Sequence, residues 1–324
     1  MADLPAVQQA LPPATIEDHP VAVYLARLTS PQSRRTMRSK LDVVARLILR
    51  KESADAWQVP WALLQPIHLD AVRSILAERN APATANCMMA AVRGVLTACW
   101  RIGQIDGERL SRLTDVEPVR GNTPPAGRSL EPAEITALFA SCQEGGKPNR
   151  AARDSAILAL LYGGGLRRAE AAALDFADVE LGREELTVRR GKGNKGRIVP
   201  LVLGAADYLH LWIAVRGESE GALLHPINKG DSIQPCRMTP DAIGLVVKRL
   251  CESARLRPAV AHDFRRTLIG DLLDAGADLV SVQQIAGHAS PTTSARYDRR
   301  PSEARRKAAR LVRLPLTPPP PPVG

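Results

Sequence analysis

Residues 118–127 break the chain into two unequal parts. Helical periodicity fails there, and Pro118, Gly121, Pro124, Pro125 and Gly127 fall so close together that no regular element crosses the stretch. This is the punctuation of an interdomain linker. A chain of 324 residues, 45% of them hydrophobic, is long enough to build a separate core on each side. The expected organisation is a tail without periodicity (1–20), a helical domain (21–117), the linker (118–127), a second domain (128–314) and a proline-rich tail (315–324). Both ends are expected to be disordered.

In the first domain, Ser30 followed by Pro31 marks a helix start: a capping hydroxyl, then a residue preset for the first turn. Met37, Leu41, Val44 and Ile48 follow at helical spacing. The other face carries Arg34, Arg35, Arg38 and Arg46, which reads equally as a solvated surface or as a stripe that tracks phosphates. A second helix is expected over 69–79. A third starts near Pro82, turns Met88, Val92, Val95, Leu96 and Cys99 inward, carries Arg93 and stops at Gly103.

The second domain opens with Pro132 and Glu134, a pair suited to a helix N-terminus. A buried helix is expected over 154–162, ended by Gly163, Gly164 and Gly165. Two short β-prone runs, 185–190 and 197–201, flank Gly191-Lys192-Gly193-Asn194-Lys195-Gly196, whose residues tolerate the positive φ of a hairpin turn. Further helices are expected over 205–215, 240–254 behind a Thr239 cap, 262–275, 281–286 with Gly287 as its stop, and 302–312. The fold class is therefore mainly α with a small β-sheet in the second domain.

Lys and Arg number 44 against 34 Asp and Glu, and the net charge of +10 favours a polyanionic partner. Aromatic residues are only 3%, too few for single-strand binding by base stacking, so duplex DNA is the better match. The five cysteines, Cys87, Cys99, Cys142, Cys236 and Cys251, are scattered and form no C-x-x-C pair. That argues against a disulfide framework and a structural zinc site, and they are expected to be reduced core residues. No basic cluster followed by an apolar run opens the chain, and no apolar stretch is long enough to span a bilayer. A soluble cytoplasmic protein is expected, with no membrane partner.

Four segments gain meaning when taken together: Gly165-Leu166-Arg167-Arg168-Ala169-Glu170, the Lys192 turn, His262-Asp263-Phe264-Arg265, and Gly287-His288 with Tyr297 nine positions on. In this order they resemble G-L-R-x-x-E, G-K-G-N-K, H-x-x-R, G-H and Tyr of the tyrosine recombinase family, which includes phage integrases and Xer-type recombinases. Each piece alone is common, whereas the ordered set is specific. The resemblance covers residues 128–312; the first domain resembles the family's core-binding domain only in length and pattern. It implies a two-domain, C-shaped clamp on duplex DNA, a helical core-binding domain joined to an α+β catalytic domain. It also implies a chain that is a monomer in solution and a tetramer on two recombination sites, with accessory DNA-bending proteins as possible partners.

Breaking a phosphodiester loads negative charge on the nonbridging oxygens of a crowded phosphorus, and a guanidinium meets those oxygens with two parallel hydrogen bonds. Arg167 and Arg265 suit that task. A cation just inside a helix start opposes the helix dipole, so Arg167 needs a reason to be there, while Arg168 faces elsewhere. Glu170, three residues on, is expected to hold Arg167 or a nearby histidine. His262 and Arg265 stand at i and i+3, where one helix end presents both. His262 is the candidate acceptor of the Tyr297 proton, and His288 the donor to a phosphate oxygen.

Lys192 has the reach to protonate a departing 5′ oxygen; Lys195 competes on position, and the resemblance implies Lys192. A phenol that ordinarily titrates at about 10 needs a base or a cationic surround to attack at neutral pH. Arg296, Arg299 and Arg300 flank Tyr297. With that many cationic donors no metal and no cofactor is required, and the energy of the cut bond is kept in a covalent 3′-phosphotyrosine link. Candidate DNA contacts are Arg34, Arg35, Arg38, Arg93, Lys195, Lys248, Arg249 and Arg296.

Two departures from the family pattern are visible, Ala286 where leucine is usual and Arg266 where histidine is frequent, and the proline tail is extra. Rival readings are a non-catalytic DNA-binding regulator of the same architecture, strand relaxation in the manner of type IB topoisomerases or closing of hairpin ends, and a metallohydrolase using His225, His262 and His288. The last lacks ligand spacing.

Overall fold

The computed structural model describes residues 18–121, 127–189 and 196–287. The chain divides into two compact units, 1–125 and 126–324.

The first unit is wholly helical among its described residues. Helix α1 (Pro20–Ala26) is followed by α2 (Pro31–Leu49), α3 (Pro66–Arg79), α4 (Pro82–Arg101) and α5 (Gly107–Thr114). Helix α2 starts as its sequence dictates: the Ser30 hydroxyl accepts from the Ser33 N–H, Pro31 takes the first turn, and Leu41, Val44, Ala45 and Ile48 are buried. Helix α4 supplies the centre of the core through Val92, Val95, Leu96 and Cys99, all fully buried. Helices α1 and α5 are too short to show a period. They rest on caps, His19 Nδ1 accepting from the Val21 N–H and Asp106 from the Arg109 N–H. Helix α3 starts at Pro66 rather than at 69, because His68 Nδ1 accepts the Gln65 N–H and closes its first turn.

The second unit packs α6 (Pro132–Cys142), α7 (Pro148–Leu158), α8 (Arg168–Ala173), α9 (Ala205–Arg216), α10 (Pro240–Ser253), α11 (Ala261–Asp274) and α12 (Leu279–Ala286) with one small sheet. Its core joins Leu158, Leu160 and Leu161 to Leu209, Trp212 and Phe264, and the Trp212 indole donates to the Leu223 carbonyl.

The sheet is antiparallel in the order β1 (Val179–Glu180), β2 (Glu185–Val188), β3 (Arg197–Pro200). The β2–β3 pairing sets Leu186 opposite Val199 and Val188 opposite Arg197, and Leu186, Val188 and Val199 are buried while Thr187 and Ile198 face outward. The expected runs are thus each shorter, and the two-residue β1 had no pattern to announce it. Cys236 corrects the expectation of core cysteines: it is exposed, whereas Cys99, Cys142 and Cys251 are buried. Among the described residues no helix is long and apolar enough to cross a membrane. Lys192, Lys195, His288, Arg296 and Tyr297, with the expected 302–312 helix, residues 1–17 and the proline-rich tail, lie outside the described residues, while the end of the expected 1–20 tail is ordered enough for Pro20 to start α1.

Candidate active site

Three local devices place Arg167, Glu170, His262 and Arg265. The first is the end of α7, where regular bonding gives way to a π-helical turn at Ala159–Gly163. The Gly164 N–H reaches the Ala159 carbonyl at 3.0 Å, and the Leu166 N–H reaches Leu160 at 3.1 Å. Such a widened turn redirects the chain that leaves it. Gly165 follows with φ of 57°. A Cβ there would sit 2.7 Å from Leu268 Cδ2, so the left-handed backbone favours glycine and any side chain would have to displace Leu268. The Gly165 carbonyl accepts a 2.7 Å hydrogen bond from Arg265 Nη1.

The second device is the start of α8. Arg167 is not inside the helix but one residue before it, in extended conformation (φ −71°, ψ 148°). Its guanidinium still stands at the positive end of the helix, where a carboxylate can compensate it. Glu170 supplies that carboxylate: Oε2 accepts from the Arg167 N–H at 2.9 Å and Oε1 from Arg167 Nη1 at 2.7 Å. Sequence reasoning left Glu170 between an arginine and a histidine. Its described partners are two arginines, because Arg197 Nη1 and Nη2 each reach one of its oxygens at 3.0 Å. Burial pushes the Glu170 carboxyl up, but the hydrogen bonds from Arg197 and the Arg167 backbone, with both positive charges, hold it down at about 2.

The third device is the start of α11. Asp263, buried, accepts from the Val260 N–H at 2.9 Å and from the Arg128 N–H at 3.0 Å, which caps the helix and ties it to residues 127–130. Thr267 adds to this anchor by accepting from the Leu130 N–H at 2.9 Å. Arg265, one turn in, is 1% exposed, and His262 faces outward. Partial desolvation lowers the His262 pKa, and Arg265, Arg167 and Arg266 lower it further against the opposite pull of Asp263. Its imidazole is therefore neutral at neutral pH and able to accept a proton.

Arg167, His262 and Arg265 line one cavity, walled on the other side by Leu245 and Lys248 of α10 and by Cys251. Arg168 and Asp241, paired at 3.3 Å, border it as well. The cavity thus brings Arg167 together with His262 and Arg265, which lie about one hundred residues further along the chain.

The remaining candidates fall in different settings. Arg34, Arg35 and Arg38 are exposed along α2. Arg93 is half-buried and donates to the Val116 carbonyl at 2.6 Å. Lys248 is exposed and pairs loosely with Glu252 at 3.8 Å. Arg249 points the other way, to the buried carboxylate of Asp154, which Arg153 also contacts at 2.7 Å. Among the described residues no group of three His, Cys, Asp or Glu side chains is placed to hold a metal, and His225 Nδ1 lies 2.8 Å from the Cys236 carbonyl. Arg197 was missed altogether. Its only signal was a charge at the inward-facing start of a strand, a place where charge is expensive unless paired.

Residues 128–303 match the phage integrase family, and the chain belongs to that family, the tyrosine site-specific recombinases. It is 32% identical over 223 residues to tyrosine recombinase XerC of Corynebacterium efficiens, covering 68% of each chain. To tyrosine recombinase XerC of Mycobacterium tuberculosis it is 32% identical over 244 residues, covering 72% of this chain and 79% of the relative. The Tn1549 transposon integrase, solved in complex with transposon right end DNA, shares the fold with a TM-score of 0.67 over 91% of this chain and 98% of that one, at 17% identity. A lambda integrase dimer bound to a COC′ core site gives 0.63 over 89% and 95%, at 14% identity.

Proposed function

We propose that this recombinase cuts and rejoins duplex DNA through Tyr297, within residues 128–314 as catalytic domain, while residues 21–117 form a DNA-binding domain. The observation that carries this reading is the shared cavity of Arg167, His262 and Arg265, with Arg265 buried although it is a cation. The Gly165 carbonyl fixes that guanidinium in place, and a donor held ready in this way suits the charge that develops on a phosphate in the transition state. Tyr297 Oη attacks the scissile phosphorus and passes its proton to neutral His262. Arg167, Arg265 and His288 take the charge on the nonbridging oxygens, and Lys192 protonates the departing 5′ oxygen. The products are a 3′-phosphotyrosyl ester and a free 5′ hydroxyl; attack by a 5′ hydroxyl from the other duplex reverses the step and exchanges the strands.

The family membership supports a tetramer on two recombination sites, a monomer off DNA, a cytoplasmic setting and help from DNA-bending proteins. Exposure supports Arg34, Arg35, Arg38 and Lys248 as phosphate contacts.

The test is covalent capture. Chelator-treated protein is mixed with a pool of nicked duplexes randomised around the nick, and DNA that becomes detergent-resistant yet protease-sensitive is recovered. An adduct that maps to Tyr297 and vanishes in Tyr297→Phe is expected. An adduct on another side chain, or none from the whole pool, overturns the reading.

A further inference from the structure

We propose that Arg197 is a positioning residue of this site, holding Arg167 through Glu170 and fixing the end of α12 from which the chain enters His288. This rests on the functional reading above. Arg197 opens β3, opposite Val188, five residues beyond Lys192, and its side chain is only 13% exposed. Its fork takes both oxygens of Glu170 at 3.0 Å, and its Nε donates to the Ile285 carbonyl at 3.3 Å. One planar group therefore ties a strand, the start of α8 and the last turn of α12.

Gly287 shows how closely this group fits. It stands at φ of 57°, and a Cβ there would lie 2.9 Å from Arg197 Nε and 3.0 Å from its Cδ and Cζ. The guanidinium occupies the space a side chain would need, so the glycine of the Gly287-His288 pair serves Arg197 as well as the helix stop.

Charge gives the second argument. Glu170 is 5% exposed and within hydrogen-bond reach of Arg167. Alone, that carboxylate would neutralise the cation the phosphate needs. With Arg197 on its other side, the three groups carry one net positive charge, and Arg167 keeps its attraction for an incoming oxyanion. A lysine would restore charge but not the three directed N–H bonds.

The experiment uses the full chain and the duplex recovered by covalent capture with the wild-type protein. Adduct formation is timed at saturating protein for Arg197→Lys and Arg197→Gln, alongside duplex affinity and thermal midpoint. A second duplex carries sulfur as the 5′-bridging atom, a leaving group that needs no acid. Arg197→Gln is expected to slow adduct formation by roughly 10–100-fold, with duplex affinity within about twofold, and Arg197→Lys to recover part of the loss. Sulfur should restore Lys192→Ala but not Arg197→Gln, because Arg197 acts, through Arg167, on the charge of the nonbridging oxygens in the transition state rather than on the leaving group.

Where Arg197→Gln does not fold, Arg197→Lys decides. A folded Arg197→Lys protein that reacts at the wild-type rate overturns the assignment, as does a rate loss that sulfur restores or that falling affinity accounts for in full. Wild-type rates from the Arg197 variants beside an inert Tyr297→Phe overturn this assignment alone. An adduct that survives Tyr297→Phe overturns the functional reading and the assignment with it.

Discussion

The two units bury different kinds of side chain. Among the described residues, His68 is the only polar or charged residue of the first unit that is buried as a whole, whereas the second buries Ser141, Arg153, Asp154, Ser155, Glu170, Asp178, Asp263, Arg265 and Thr267. His68 merely closes a helix turn. In the first unit Arg34, Arg35 and Arg38 of α2 are exposed, Arg46 is half-buried, and the core is left to Leu41, Val44, Leu96 and their neighbours. Burying a charge is tolerated only when partners or a ligand compensate it. The first unit thus keeps its arginines at or near the surface, whereas the second carries charged side chains inside its core.

Arg265→Met should break that contrast most sharply. Removing the buried guanidinium is expected to slow adduct formation by roughly 10²–10³-fold, as loss of a donor to a developing oxyanion does. The thermal midpoint is read alongside and should fall, since the hydrogen bond to the Gly165 carbonyl is lost with the guanidinium. A variant that unfolds while retaining its rate when folded would make Arg265 a structural residue. Leu96→Ala in the first unit is the opposite experiment. It is expected to cost about 3 kcal/mol in denaturant unfolding, through a cavity in a fully buried site. The rate of adduct formation by folded, DNA-saturated protein should not change. A slower chemical step in Leu96→Ala would mean that the first core reaches into the site.

The same contrast decides what could be read from sequence. Helices α2 and α4 were legible because their burial follows a 3.6-residue period over five turns, and a Ser30 cap or a Pro82 start marks the boundary. Helices α1 and α5 are short, and β1 is a two-residue pairing fixed by its neighbours. The triple glycine at 163–165 was legible as a stop, but not as a π-helical turn, because the widening depends on how Leu160 and Ala159 carbonyls are satisfied in three dimensions. At the site, Arg167 and Arg265 were legible through motif order, and Glu170 through its spacing. Arg197 was not, since its partner lies 27 positions away and no periodicity links a strand start to a helix start.

Glu170 offers a finer cut, because its contribution depends on pH. A carboxyl ordinarily near 4.5 is held at about 2 in the folded chain. The folded value is the depressed one, so the stabilisation is fully present above the unfolded pKa and is lost as pH falls toward the folded one. It is on the order of 3 kcal/mol at neutral pH. Glu170→Gln should therefore lie below the wild type in unfolding free energy at pH 7, and the gap should narrow between about pH 5 and pH 2. A gap that does not change with pH would mean that the carboxylate is not what Arg167 and Arg197 recognise.

The smallest expected effect lies on the surface of the first unit. Arg35 and Arg38 are exposed on α2, so replacing both by alanine should move the unfolding free energy by no more than about 0.5 kcal/mol. Their place is proposed to be in binding. Each phosphate contact releases counterions, so the slope of log affinity against log salt should become shallower by about two, with little change in preference among duplex sequences. The measurement is a salt titration of duplex binding by the wild type and by the double variant. If the slope is the same in both, the stripe on α2 is only a solvated face, and the first unit meets DNA elsewhere. If the slope falls and sequence preference falls with it, these arginines read bases rather than phosphates, and the first unit would carry recognition as well as affinity.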